Sequence, residues 1–304
     1  MAVITSSASS TTLPERVDPR VAFSLFSVYV IWGSTYLVMA IAVRELPPFL
    51  MAAMRFLLAG GLMFVLARRR GVPMPPAREW LRIAPIGVLL FLGGNVFVAI
   101  AERTVTSGGA AVVCATMPLW VGVLGSLINK ADRPTAREWG SLLLGFAGVI
   151  VLLGGPSLSG DTFDVLAILA APVAWALGSV LARRLPSTPT TSDAFMLPAI
   201  QMLTGGLVLA VAGFSTGERI PTDASAEAWL ALLYLFAFGS MVGFTAYSWL
   251  LRNTRSAVAT SYAYVNPILA VVIGALLSGE PLGATTVIAN VMIVAAVMLV
   301  LRKR

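Results

Sequence analysis

The sequence predicts an all-α integral membrane protein with ten transmembrane helices, arranged as two inverted-topology repeats of five helices each. Three observations predict this fold class. The composition is strongly apolar, because 58% of the 304 residues are hydrophobic and only 12% are charged, whereas soluble domains are about 45–50% apolar and about 25% charged. Apolar segments long enough to cross hydrocarbon recur along the chain. Finally, the two halves of the chain share residues at fixed spacing.

The chain starts with a polar, Ser/Thr-rich segment over residues 1–20, which is typical of a disordered cytoplasmic tail. This segment lacks the short apolar core and cleavage site of a signal peptide, so we expect the first span to be retained. A membrane helix needs about 20 mainly apolar residues. The segments that meet this requirement are 21–43, 47–67, 80–101, 107–129, 137–155, 163–182, 193–214, 227–251, 256–278 and 283–301.

Basic residues lie almost entirely on one side of these spans. Of the 21 Lys and Arg residues, 17 fall in segments on the side of the N-terminus, and only Arg44, Arg103 and Arg219 fall on the other side. This excess is the positive-inside signal, so it predicts a multi-pass protein of the cell inner membrane with both termini in the cytoplasm. Orientation therefore explains the net charge of +7. Nucleic acid is not expected as a partner, because no basic surface is interleaved with aromatic residues.

The two halves repeat each other in order. An odd number of spans in each half means that the second half enters the membrane from the opposite side. We therefore expect a first repeat over 21–155 and a second, inverted repeat over 163–301, with a binding site near the midplane between them, as in many secondary transporters. The matched pairs are Gly33/Gly178 and Gly60/Gly205, which are 145 residues apart, and Trp80/Trp229, Arg103/Arg252, Ser107/Ser256 and Pro118/Pro267, which are 149 apart.

Four stretches carry a family resemblance: IWGSTYL at 31–37, MRFLLAG at 54–60, TSGGAAVVCATMPLW at 106–120 and RSAVATSYAYVNPILAVVIGALLSGE at 255–280. Together with the five-plus-five helix pattern, they resemble the EamA branch of the drug/metabolite transporter superfamily. The resemblance covers nearly the whole chain after residue 20. It implies a ten-helix exporter. The overall size and the aromatic-bearing helices are similar to those of bacterial amino-acid and metabolite exporters, including the aromatic amino-acid exporters.

Arg55 is the one basic residue predicted within a span. It lies about 12 Å along the second helix from Pro47 at 1.5 Å per residue, where a charge costs at least about 2.5–3.5 kcal/mol. Two roles are open for it. Arg55 attracts an anionic group of the substrate, such as an α-carboxylate, or it ties helix carbonyls and reaches towards Glu45 or Glu102. Those two carboxylates lie near the outer face and are candidates for an outer gate.

Pro118 and Pro267 occupy equivalent positions inside the predicted fourth and ninth helices. A proline within a helix removes one backbone hydrogen bond and bends the helix. The freed carbonyls would be those of Cys114 and Ala263, and free carbonyls at depth are tolerated where they line a cavity. The alternative is that the bends serve only packing or gating.

Polar and aromatic residues cluster around these bends and at depth in other spans. Aromatic faces bind apolar groups and attract cations, which suits a substrate cavity. The alternative for each residue is packing between helices or anchoring at the membrane interface. The candidate cavity residues, besides Arg55 and Cys114, are Trp32, Tyr36, Asn95, Thr116, Met117, Trp120, Trp175, Gln201, Tyr247, Tyr262, Tyr264 and Asn266.

The sequence excludes several kinds of chemistry. It has no histidine and one cysteine, so we expect no metal site, no cofactor and no enzyme activity. No Walker-type phosphate loop is present, so ATP does not drive the chain directly. No carboxylate lies at the centre of a span to carry a proton. We therefore expect facilitated diffusion or exchange, unless Glu102 reaches the cavity from the outer end of the third helix.

These features predict a secondary transporter that exports amino acids, aromatic or hydrophobic ones among them, or similar small metabolites by alternating access. The partners expected are a small-molecule substrate and the lipid bilayer, and the chain is expected to be monomeric. A multidrug or other-metabolite exporter of the same fold is one alternative. A membrane scaffold or receptor that transports nothing is another.

Overall fold

The computed structural model describes residues 18–101, 104–105, 107–153, 160–269 and 284–301, apart from a few side chains within helices, that of Tyr36 among them. These residues form helices and turns, and no strand is found among them, which confirms the all-α prediction. Within the same ranges, seven helices are long and apolar enough to cross a membrane, and a shorter apolar segment covers Val112–Ile128.

The seven long helices agree with predicted spans to within three residues at each end. The predicted fourth span is instead two helices, Ser107–Cys114 and Met117–Ile128. The predicted ninth span begins with a single helical turn, Ser256–Ala259, which is followed by helix 262–269, and its remainder lies outside the described residues. The helices are α1 Pro19–Ala42, α2 Pro48–Arg69, α3 Ala77–Ala101, α4 Ser107–Cys114, α5 Met117–Ile128, α6 Ala136–Leu152, α7 Thr162–Arg183, α8 Pro189–Ser192, α9 Met196–Ser215, α10 Ala226–Asn253, α11 Ser256–Ala259, α12 262–269 and α13 Ala284–Leu301.

Two of the long helices are not α-helical throughout. A π-helical segment covers Leu89–Val96 within α3, and another covers Leu235–Gly243 within α10. Such segments are rare in proteins and occur frequently at functional sites. Each π turn holds one more residue than an α turn, so these segments rotate the second part of their helix relative to the first.

Polar side chains mark where several helices begin. Ser225 caps α10 by accepting a hydrogen bond from the amide of Ala228, and Thr135 and Glu138 form a capping box at the start of α6. Asp161 similarly accepts from an amide in the first turn of α7. These side chains satisfy backbone donors that a helix start leaves free.

Glycines allow the helices to pack closely. An added Cβ at Gly60 of α2 would lie 3.0 Å from the carbonyl oxygen of Ala199 in α9, and a Cβ at Gly206 of α9 would lie 3.0 Å from Leu57 of α2. The two helices therefore approach backbone to backbone, as small residues permit in lipid. Large apolar side chains that point away from these contacts, such as Phe23, Leu81 and Leu127, are exposed and suit contact with acyl chains.

We expect Gly60→Leu to destabilise the protein, because the new side chain would meet the backbone of α9. Overpacking of this kind costs about 1–3 kcal/mol. Gly61→Leu is the matched control, because a Cβ at the neighbouring glycine meets nothing within 4 Å. The thermal midpoints of the purified variants in detergent measure the difference. Equal midpoints for the two variants would contradict the close approach of α2 and α9.

Candidate functional site

Four aromatic side chains from four helices meet in the interior. The ring centroid of Trp32 in α1 lies 5.7 Å from that of Trp175 in α7, 5.0 Å from that of Tyr247 in α10 and 4.7 Å from that of Tyr262 in α12. Tyr247 also lies 5.8 Å from Trp175 and 5.4 Å from Tyr262. The pairs are tilted or edge to face, as aromatic quadrupoles favour. We call these four residues the aromatic cluster.

Hydrogen bonds fix the polar atoms of the cluster. Nε1 of Trp175 donates to the hydroxyl of Tyr247 over 3.1 Å, and that hydroxyl lies 2.6 Å from Oγ of Ser179. Ser179 in turn donates to the carbonyl oxygen of Trp175 over 2.7 Å. The Tyr247 hydroxyl also has a hydrogen bond with Tyr262. Trp175, Ser179, Tyr247 and Tyr262 therefore form one connected hydrogen-bonded set, as expected of buried polar groups.

The π segment of α10 places Trp32. Nε1 of Trp32 donates to the carbonyl oxygen of Gly239 over 3.1 Å. An added Cβ at Gly243, one turn further along, would lie only 2.5 Å from the same nitrogen. A glycine is therefore required at 243 for the indole to reach this carbonyl. Gly239 and Gly243 together therefore allow the indole of Trp32 to pack directly against the backbone of α10.

A row of phenylalanine rings connects the aromatic cluster with Arg55. Phe244 lies 6.2 Å from Tyr247 and 4.9 Å from Phe91 between ring centroids, and Phe91 lies 4.2 Å from Phe56. The guanidinium carbon of Arg55 lies 4.4 Å from the centroid of the Phe56 ring. The charge is thus near aromatic faces, which attract cations.

Arg55 is buried, with 6% of its surface exposed. Its Nε donates to Oγ of Ser240 in α10 over 3.1 Å. Among the described residues no carboxylate pairs with Arg55, and its other four N–H donors have no hydrogen-bond acceptor. Arg55 and Trp32 therefore contact consecutive residues, Ser240 and Gly239, of one π segment.

The fourth span differs from its prediction at Pro118. A bend inside a continuous helix is expected there, but α4 ends at Cys114 and α5 begins at Met117. Pro118 therefore lies in the first turn of α5, where the missing N–H costs little. Oγ1 of Thr116 donates to the carbonyl oxygen of Val113 over 2.6 Å. A turn separates the two helices, so the prediction of a bend within one continuous helix is wrong.

In the ninth span, two predicted residues have different surroundings. The hydroxyl of Tyr264 donates to the carbonyl oxygen of Leu142 over 2.9 Å, and its ring lies against Gly145 of α6. This residue therefore ties α12 to α6. Asn266 is 2% exposed, and its Oδ1 has no partner among the described residues. Pro267 is buried next to it, within residues 262–269.

The other predicted residues lie in several places. Asn95 is half-buried within the π segment of α3, and Met117 is buried at the start of α5. Trp120 is 39% exposed and makes no ring contact with the described aromatics. Gln201 is buried on α9, beside a small cavity. Glu102 and the side chain of Tyr36 lie outside what the structure describes.

Two carboxylates link the loops at the end of the helices where α1 stops and α2 starts. Glu45 accepts hydrogen bonds from the amide of Ser225 over 2.6 Å and from its hydroxyl over 2.7 Å. Glu218 accepts from the amides of Phe49 and Leu50 at the start of α2, over 3.2 and 2.8 Å. The loop before α2 thus contacts the start of α10, and the loop after α9 contacts the start of α2. Glu45 does not contact Arg55, contrary to one predicted role.

Comparison with known proteins agrees with the helical architecture. The model of the EamA-like transporter family matches residues 20–154 and, a second time, residues 162–302. The chain belongs to the EamA-like transporter family. This confirms the resemblance predicted from the sequence, and membership supports a transporter role for the chain.

Similar proteins extend along nearly the whole chain. YedA of Escherichia coli (strain K12), named an uncharacterized inner membrane transporter, is 43% identical over 278 residues, which are 91% of this chain and 89% of YedA. YvbV of Bacillus subtilis (strain 168), named an uncharacterized transporter, is 26% identical over 287 residues. The match covers 92% of this chain and 91% of YvbV. A protein of known crystal structure has a similar fold, with a TM-score of 0.76. The similarity covers 93% of this chain and 96% of the chain of that protein. At 20% identity this last likeness shows the shared fold alone.

Several residues of the site were not predicted from the sequence. Ser240 was missed because a small residue between two glycines indicates helix packing. Phe91 and Phe244 were missed because an aromatic residue in an apolar helix has the same pattern whether it faces lipid or the interior. Their positions directly after or within the π segments become informative only when those segments are known.

The contact of Glu45 predicts a pH effect. The side-chain hydrogen bond from Ser225 lowers the pKa of Glu45, and its backbone hydrogen bond adds to this. A pKa lower in the folded than in the unfolded state adds stability above the unfolded value, and this stability is lost as the pH falls through the folded value. We therefore expect Glu45→Gln to lower the thermal midpoint at pH 7, with a difference from wild type that shrinks towards pH 3.

Glu227→Gln is the control, because this exposed carboxylate lies in the first turn of the same helix as Ser225. Thermal midpoints measured across the pH range for all three proteins make the comparison. A Glu45→Gln deficit that is the same at pH 3 and at pH 7 would contradict the contact.

Proposed function

We propose that this member of the EamA-like transporter family is a secondary transporter of the inner membrane that exports amino acids or similar small metabolites. The observation that carries the proposal is the meeting of Arg55 and Trp32 at consecutive residues of the π segment in α10. A buried cation, whose remaining donors have no acceptor among the described residues, and a residue of the aromatic cluster thus contact the same π segment. A ligand with one carboxylate and an apolar or aromatic side chain complements this pair.

The chemistry of an amino acid fits these groups one by one. The α-carboxylate pairs with the guanidinium of Arg55, which presents a planar fork of donors. The side chain of the substrate packs against the aromatic cluster. Asn266 follows Tyr262 by four residues within one helical segment, so both project from the same face. The Oδ1 of Asn266, which has no partner among the described residues, therefore supplies an acceptor for the substrate ammonium near the cluster.

The proposed architecture is ten membrane helices in two inverted repeats of five, over 21–155 and 163–301. The family model matches the chain twice over closely similar ranges, which supports two related halves. The π segments of α3 and α10 occur in helices that the repeat makes equivalent. Inverted halves can exchange conformations, which is the basis of alternating access.

The charge distribution supports an orientation with both termini in the cytoplasm. A reporter enzyme that works only in the cytoplasm, fused after Arg304, is expected to be active, and a periplasmic reporter at the same position to be silent. Fusions after Arg219, in the loop between α9 and α10, provide the opposite control. Activity of the periplasmic reporter after Arg304 would contradict this topology.

Substrate counterflow tests the proposed activity. Liposomes that hold the purified protein and a high internal concentration of unlabelled phenylalanine are expected to accumulate radiolabelled phenylalanine without a pH gradient. Phenethylamine, which lacks the carboxylate, is expected to compete poorly. No carboxylate of the described residues lies near Arg55 to carry a proton, which supports facilitated diffusion or exchange. Flux that requires an inward proton gradient and is abolished by Glu102→Gln would contradict this form of coupling.

Substitutions at Arg55 separate its roles as a ligand and as a structural residue. Arg55→Met removes the charge and its burial cost, so the variant is expected to be at least as heat-stable as wild type. A charged hydrogen bond contributes about 1.5–3 kcal/mol, so phenylalanine binding is expected to weaken by about 10- to 150-fold. Arg55→Lys keeps the charge but not the fork and should weaken binding less.

Arg44→Met is the control, because Arg44 is an exposed arginine in the loop after α1. Equilibrium binding and counterflow of the same preparations provide the measurement. A stable Arg55→Met protein with unchanged phenylalanine affinity would exclude the ligand role, and a protein that fails to fold would favour the structural one.

A further inference from the structure

A small cavity lies between α3, α7, α9 and α10, and none of the four residues of the aromatic cluster belongs to its lining. Its volume is about 10 Å³, enough for about one water molecule. The wall has an apolar part, which includes Leu90, Phe244 and Leu251, and a polar part formed by Gln201, Ser248 and Arg252. In the proposed orientation the cavity lies towards the cytoplasm, because it contacts the first part of α9 and the last part of α10.

The polar part of this wall holds unmet hydrogen-bonding groups. Gln201 is 1% exposed, and neither its Oε1 nor its Nε2 has a partner within the described ranges. Nη1 of Arg252 is also buried, and it too has no acceptor among the described residues. Each such atom costs about 1–3 kcal/mol. Packing alone would favour an apolar side chain such as leucine at position 201, so the amide indicates a ligand.

The groups around the cavity select an anion. Arg252 contributes a positive charge, Gln201 an amide N–H and Ser248 a hydroxyl, and no carboxylate belongs to the lining. Donors of these three kinds bind carboxylate oxygens in proteins. The ring of Phe244 belongs both to this wall and to the row of rings, since it lies 6.5 Å from Trp175 and 4.9 Å from Phe91. One side chain therefore separates the cavity from the central site.

The spacing of the two halves relates the cavity to Arg55. Gln201 on α9 lies 145 residues after Phe56 on α2, the spacing at which Gly60 matches Gly205. Arg55 is the eighth residue of α2 and Gln201 the sixth of α9. Each helix therefore carries an unusual polar side chain about two turns from its start. In inverted repeats these positions lie at similar depths from opposite faces of the membrane.

We propose that Gln201, Ser248 and Arg252 form a second carboxylate-binding subsite on the cytoplasmic side of Phe244. The carboxylate of the substrate binds there first and passes to Arg55 when Phe244 turns aside. The present volume admits a water molecule but not a carboxylate, so Phe244 must move for the subsite to fill. This proposal rests on the proposed function for its role in transport, but carboxylate binding at the subsite is testable without transport.

Equilibrium dialysis of the detergent-purified protein with radiolabelled benzoate tests the subsite. Wild type is expected to bind two benzoate molecules and Arg55→Met one. Adding Gln201→Leu to Arg55→Met is expected to weaken the remaining binding at least tenfold, and adding Ser248→Ala to weaken it less. Gln201→Leu also removes two unpartnered polar atoms, so these proteins should stay folded, with a thermal midpoint no lower than that of their parent.

Thr216→Val in the Arg55→Met background is the control, because Thr216 directly follows the other end of α9 and bonds only the carbonyls of Ala212 and Gly213. Its benzoate affinity should equal that of Arg55→Met. Unchanged affinity in Arg55→Met/Gln201→Leu, or no benzoate bound by Arg55→Met, would overturn the subsite and leave a cavity that holds water only. Benzoate binding that follows these expectations in a protein without phenylalanine counterflow would instead refute the proposed function and retain the subsite.

Discussion

Hydrocarbon offers no hydrogen-bond partner, so every polar atom at membrane depth has to be satisfied by the protein, by enclosed water or by a ligand. The interior of this chain depends on that constraint. Trp175, Tyr247 and Ser179 are hydrogen-bonded to one another, and Tyr247 also to Tyr262. Arg55 bonds Ser240 and keeps further donors free among the described residues. The aromatic cluster is therefore held in place by its own hydrogen bonds. Arg55 has donors left over that can bind a ligand.

Close backbone approach makes this arrangement possible. Gly60 and Gly206 bring α2 against α9, and Gly243 admits the indole of Trp32 to α10. Without a hydrophobic driving force between helices in lipid, such packing and the hydrogen bonds across it supply the association energy. The same glycines therefore determine how α2 meets α9 and how α1 meets α10. Stability and the geometry of the site have a common origin here, and large side chains at these positions would disturb both.

Hydropathy was sufficient to locate the seven longest helices, because a membrane span leaves a signal of about 20 consecutive residues. The same signal gives depth along a helix, so Arg55 was recognised as a buried charge. Hydropathy contains no information on helical register, and for that reason the π segments and the break between α4 and α5 were not predicted. The partner of Arg55 depends on that register, since Ser240 lies within a π segment. The aromatic residues Trp32, Trp175, Tyr247 and Tyr262 were predicted individually, but their contacts across four helices required the structure.

The π segment of α10 also affects the direction in which the side chains after it point. An α-helix advances by about 100° per residue, so one additional residue in a turn changes the direction of every later side chain by about that amount. Phe244 directly follows the segment, Tyr247 lies one turn further along, and both are buried. If the extra residue moved along the helix, as in a sliding register defect, the rings beyond it would rotate as one body. A change of register in the π segment would then change the direction of the Phe244 and Tyr247 rings together without moving the helix axis.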